Sequence, residues 1–112
     1  MALYVQLVKL SREGATRIRE VASDFAAVQR FNESLGGKFL YVVACFGEYD
    51  FIALAEYPDD VAALKGAAFA AAQGNATIQT LPARPIDEFF TIISLVFYQF
   101  KQLMGAAPQW FL

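Results

Sequence analysis

Two short apolar runs joined by a turn constrain this chain more than any other feature. Residues 38–45 read Lys-Phe-Leu-Tyr-Val-Val-Ala-Cys, residues 52–57 read Ile-Ala-Leu-Ala-Glu-Tyr, and Phe46-Gly47-Glu48-Tyr49-Asp50-Phe51 lies between them. Each run is short, rich in aromatic and β-branched residues, and bounded by turn-formers, which spells strand, tight turn, strand. Gly47 supplies backbone angles that other residues avoid, and Asp50 is suited to bonding backbone close by. A hairpin of this kind needs further strands and a helical cover before it is stable.

The rest of the chain offers both. Residues 3–10 alternate as a first strand, with Leu3, Val5 and Leu7 on one face and Tyr4, Gln6 and Val8 on the other. Ser11-Arg12-Glu13-Gly14 breaks it, and a charged, partly helical stretch runs to Val21. Ser23 or Asp24 is placed to cap a helix in which Phe25, Val28, Phe31 and Leu35 recur at helical spacing, and Gly36-Gly37 ends it. Pro58-Asp59-Asp60 opens a second helix, with its carboxylates over the positive end of the helix dipole, and alanines from Ala62 to Ala72 sustain it. Gly74-Asn75 closes that helix, and residues 76–81 form a fourth strand. Strand, helix, strand, strand, helix, strand is the ferredoxin-like order: a four-stranded antiparallel sheet with both helices on one face.

The strands carry a second message. A sheet covered on one side should alternate apolar with polar residues. Here Leu40, Val42, Ala44 and Phe46 oppose Phe39, Tyr41, Val43 and Cys45, and Phe51, Ala53 and Ala55 oppose Ile52 and Leu54, so both faces are apolar. Apolar residues make up 57% of the chain and charged ones 18%, against about 45–50% and about 25% in ordinary domains. A domain of 112 residues has too much surface for its volume to hide that surplus. The expected cover for the second face is the sheet of another subunit, giving a dimeric α+β barrel or larger oligomer; the alternative is a C-terminal segment folded back over it.

That segment is itself unusual. Pro82-Ala83-Arg84-Pro85 is a stiff linker, and Ile86-Asp87-Glu88 starts a helix. Phe89, Ile93, Val96, Phe97, Phe100 and Met104 share one face, and Phe90, Ile92, Leu95 and Tyr98 spread apolar surface nearly all round, so the helix needs burial on most sides. Its apolar run stops at Gln99 and Lys101, short of the ~20 residues of a membrane span. The chain therefore divides into a ferredoxin-like domain, 1–84, and an assembly helix and tail, 85–112. Phe89, Phe90, Ile93, Val96, Phe97, Phe100, Met104, Trp110 and Phe111 are the expected contacts. The partner they imply is another copy, another protein, or a membrane complex with Tyr98, Trp110 and Phe111 at headgroup depth.

Catalytic signals are weak. There is no histidine, which removes the commonest general base and transition-metal ligand. Lone Cys45, set in a strand, reads as a packed, inert thiol. With one cysteine there is no internal disulfide, and the start of the chain lacks signal-peptide features, so a cytoplasmic protein, peripheral to a membrane at most, is expected. A net charge of −2 with scattered basic residues argues against nucleic acid. Glu48, Tyr49, Asp50, Glu56, Tyr4, Tyr41, Lys9 and Arg84 are the candidate reactive groups. Asp50 with Tyr49 would make an acid–base pair, but capping and packing of the turn explain them better. Asp59-Asp60 is explained by the helix start rather than by a metal. No phosphate loop, nucleophile elbow or metal spacing is present, and no cofactor is expected.

Gly47-Glu48-Tyr49-Asp50 between apolar strands, followed by Pro58-Asp59-Asp60, resembles the GYD domain family. Tyr4-Val5, Gly14, Ile18, Leu35-Gly36-Gly37 and Gly74-Asn75 extend the resemblance over roughly residues 2–90. It departs from the pattern in carrying Glu48 inside the motif and an apolar extension after Glu88. The resemblance implies a ferredoxin-like fold and no particular reaction. Two functions follow from the residues. One is a non-catalytic assembly or accessory subunit that associates through its open sheet face and C-terminal helix. The other is a small-ligand-binding or isomerase-type dimeric α+β barrel with its pocket between sheet and helices.

Overall fold

The computed structural model describes residues 1–105. Four strands, β1 (Ala2–Leu10), β2 (Lys38–Ala44), β3 (Phe51–Tyr57) and β4 (Ala76–Ala83), form one antiparallel sheet in the order β2-β3-β1-β4. Helices α1 (Arg12–Thr16), α2 (Val21–Ser34) and α3 (Asp60–Ala72) cross one face, with a single 3-10 turn at Ile18–Glu20, and α4 (Ile86–Met104) follows the sheet. This is a mixed α+β architecture with the split order that the alternation of apolar periods implied.

Register divides the sheet cleanly. Tyr4 pairs with Ala55 and Pro82, and Gln6 with Ala53 and Thr80, so these residues share the helix-covered face. Leu3, Val5, Leu7, Ile52 and Leu54 fall on the other face, with Tyr41 opposite Leu54. Strict alternation fails in β2. The register shifts between Phe39 and Tyr41, leaving Leu40 as the extra residue of a bulge. The bulge puts Phe39 on the same face as Val42 and Ala44, where alternation along the sequence sets them apart.

The packed core is small. Tyr4, Ala55, Tyr57, Ala62 and Ala63 form its centre, with Leu35 and Phe39 against it. Alanines on both β3 and α3 let the helix lie close to the sheet, and the rings of Tyr4 and Tyr57 meet edge-on with centroids 5.7 Å apart. The apolar stripe expected of α2 is realised: Phe25 stacks on Phe39 at 5.0 Å, and Phe31 stacks on Phe69 of α3 at 4.2 Å.

The start of α2 differs from expectation. Neither Ser23 nor Asp24 caps it; the helix begins at Val21, and the preceding 3-10 turn feeds straight into it. The side-chain cap in this region belongs to Ser11, whose hydroxyl accepts from Gly14 N at 3.0 Å. Asp24 is engaged instead by Arg17 and Asn75. Asp59 does cap α3, accepting from Ala62 N at 2.8 Å. Gly36 ends α2 at φ +80°, as the paired glycines foretold.

No strand or other helix packs extensively on α4, and none of its residues is fully buried. The radius of gyration is 18.6 Å, where a compact chain of this length has about 13 Å. Among the described residues, α4 makes no extensive packing over the open face of its own sheet.

Candidate functional site

The loop that joins β2 to β3 works as a tie. Gly47 takes φ +118°, a region glycine enters without a Cβ clash. Asp50 does not cap its own turn. Its Oδ2 accepts from Leu10 N at 2.7 Å, and its backbone N donates to the carbonyl of Val8 at 2.8 Å. Tyr49 reaches further, its hydroxyl donating to Gln79 Oε1 at 3.2 Å on β4. Tyr49 and Asp50 thus fasten the hairpin across the far end of β1 to both strands that follow it in the sheet order. Glu48 is exposed, and Phe46 stands fully in solvent at 106% relative exposure. Cys45 lies past the end of β2 and is half-buried, so it is neither a strand residue nor a packed thiol. Strand pairing ends at Ala44, and Cys45 N already serves the loop by donating to the carbonyl of Asp50.

The candidate reactive groups do not converge. Tyr49, Asp50 and Lys9 sit at one end of the sheet, and Tyr4, Glu56 and Arg84 line a wide depression of about 710 Å³ at the other. Within that depression Tyr4 and Arg84 pair with structural partners. Tyr4 donates its hydroxyl to Asp60 Oδ1, and Arg84 meets Glu88 one helical turn on at 2.8 Å. The Asp60 carboxylate, aided by desolvation, pushes the Tyr4 phenol up to about 12. Burial raises the Tyr57 phenol as well. A phenol held protonated by a neighbouring carboxylate is a poor base at neutral pH. Asp59 and Asp60 serve a helix cap and a tyrosine, respectively.

Among the described residues, two apolar surfaces and a cavity stand out. The first surface is the open sheet face around Val5, Leu7, Ile52 and Leu54, with Tyr41 at 69% exposure at its edge. The second is α4. Phe89, Phe90, Val96 and Met104 are exposed, and Ile93, Phe97 and Phe100 are half-buried. Trp110 and Phe111, expected to join these contacts, lie outside the described residues.

The cavity, about 420 Å³, lies between the helix-covered sheet face and the first turns of α2. Val8, Phe51 and Ile78 form its floor, and Phe25, Val28 and Phe39 form its walls. At its rim Arg17, Asp24 and Asn75 bind one another. Arg17 Nη1 donates to Asn75 Oδ1 at 3.1 Å, Arg17 Nη2 approaches Asp24 at 3.4 Å, and Asn75 Nδ2 donates to Asp24 Oδ2 at 3.1 Å. Gln6, only 6% exposed, also lines it. Sequence reasoning put Gln6 on a strand face without giving it a role. The available signal was a polar residue at the centre of a buried apolar register.

No curated protein and no solved structure matches the chain. The family model of the GYD domain matches residues 4–93, from β1 into the first two turns of α4. The chain belongs to the GYD domain family.

Proposed function

We propose that this protein is a non-catalytic assembly subunit that pairs through its open sheet face and uses α4 to extend or lock the contact. One observation carries the reading: Val5, Leu7, Ile52 and Leu54 on the central strands β1 and β3 form the apolar centre of a face on which no described helix packs extensively. The occupant that best suits this face is a second copy, because an apolar centre rimmed by Lys9, Lys38 and Glu56 offers both signs of charge to itself, and a two-fold axis uses it twice. Four strands spaced about 4.8 Å apart, with seven or so residues rising about 3.3 Å each, project roughly 450 Å². A standard stable interface takes about 800 Å² from each partner. The sheet alone falls short, and among the described residues α4 is the apolar surface long enough to supply the difference.

The dispersal of the candidate reactive groups and the structural engagement of Tyr4, Asp50, Asp59 and Asp60 support the non-catalytic side of this reading. Among the described residues no helix is long and apolar enough to cross a membrane. The exposed apolar side chains of α4 are assigned to protein contact. Leu54→Glu tests the proposal, since Leu54 sits mid-strand between Val5 and Tyr41 on the open face, with the like-charged Glu56 two residues on. A charge buried there without a partner costs about 3–5 kcal/mol, so association weakens by roughly a hundredfold or more. Light scattering should find the variant reduced to single chains with its far-ultraviolet circular dichroism intact. A variant that keeps the wild-type mass overturns the reading.

A further inference from the structure

The geometry points to a second role for this chain: the cavity between α2 and the sheet is a binding site for a small neutral aromatic molecule that carries one hydroxyl group. The helix-covered half of the domain is unevenly filled. Around Tyr57 the core is dense, but under the first turns of α2 a space of about 420 Å³ remains. That falls within the roughly 300–1,000 Å³ of small-molecule sites. An apolar cavity of ~150 Å³ already accepts benzene, so this one admits a fused two-ring molecule.

The lining selects the chemistry. Phe25, Phe39 and Phe51 line the space, Phe25 and Phe39 stacked on each other, and Val8, Val28 and Ile78 lie between them. The charged residues at the rim, Arg17 and Asp24, neutralise each other, and Asn75 bridges them, so nothing inside compensates an ionised ligand. Gln6 is the directing group. It is 6% exposed, its Nε2 makes one long contact of 3.5 Å to the Tyr57 hydroxyl, and no described residue donates to its Oε1. Gln6 lines the space, and an amide oxygen there without a protein donor is free to accept from a ligand. A ligand hydroxyl beside Gln6 would supply that donor, and the aromatic walls would hold the rings.

The probe is 2-naphthol, whose emission distinguishes the dry neutral form from the ion formed in water. Titrated into the full-length protein, it should saturate at one molecule per chain with emission from the neutral form. Naphthalene should bind about fivefold more weakly, the worth of one buried hydrogen bond, and 2-naphthoate more weakly still. Gln6→Leu should erase the preference for naphthol over naphthalene while still binding both. Val28→Trp should fill the space and abolish binding. Should that variant not fold, methyl NMR of the wild type decides: Val8, Val28 and Ile78 signals move on titration, while those of Val5 and Leu54 on the open face stay. The inference is overturned by absence of saturation, by movement of the open-face methyls instead, or by an unchanged preference in Gln6→Leu.

Discussion

At the scale of single residues, the chain spends its polar groups on holding itself together. Tyr4 shows how. Its hydroxyl reaches from β1 to Asp60 at the start of α3, joining residues 56 positions apart. The carboxylate favours the protonated phenol, so the Tyr4 value rises from 10.0 to about 12. A raised folded-state value stabilises the fold below the unfolded phenol's value and loses that contribution as pH climbs through the folded one. The window is therefore pH 10 to about 12. Absorbance at 295 nm, taken as the difference between wild type and Tyr4→Phe, should show this phenol ionising only at the upper end of that window. Asp60→Asn removes the main cause and should bring the transition back towards 10. Identical curves for wild type and Asp60→Asn would show that the carboxylate does not set the phenol.

Among the elements, the hairpin loop is where family signature and structure meet. Asp50 accepts from Leu10 N and so fixes the end of β1 to the loop between β2 and β3. Asp50→Ala leaves that partly buried N–H without its acceptor, which costs about 1–3 kcal/mol. Urea unfolding of the assembled protein should show the midpoint falling with its slope unchanged; an unaltered midpoint would remove the tie. The strands, α3 and the stripe on α2 were legible because each rests on local periodicity and on caps such as Asp59 and Gly36. The bulge at Leu40 was not, since an apolar run on both faces gives no phase signal to reveal a slipped register. Ser23 and Asp24 misled because a capping residue type is equally suited to the first turn of a helix that starts earlier. Asp50 had its partner 40 residues away, and local turn chemistry carries no trace of such a contact. The cavity was legible only as Gln6, one polar residue on a buried face.

For the whole molecule, the balance of surface decides the reading. The chain spans 60 × 31 × 19 Å and leaves large apolar side chains such as Tyr41, Phe90, Leu95 and Leu103 more than half exposed. Exposed patches of that kind mark contacts. Association would bury the open face of the sheet and leave the cavity on the opposite, helix-covered side free, so assembly and ligand binding need not compete. Sedimentation equilibrium of the intact chain over a wide range of dilution tests this account most directly. The expected result is a mass that is a whole multiple of the 12.4 kDa chain and persists into the micromolar range. A single species at 12.4 kDa at every concentration would contradict it.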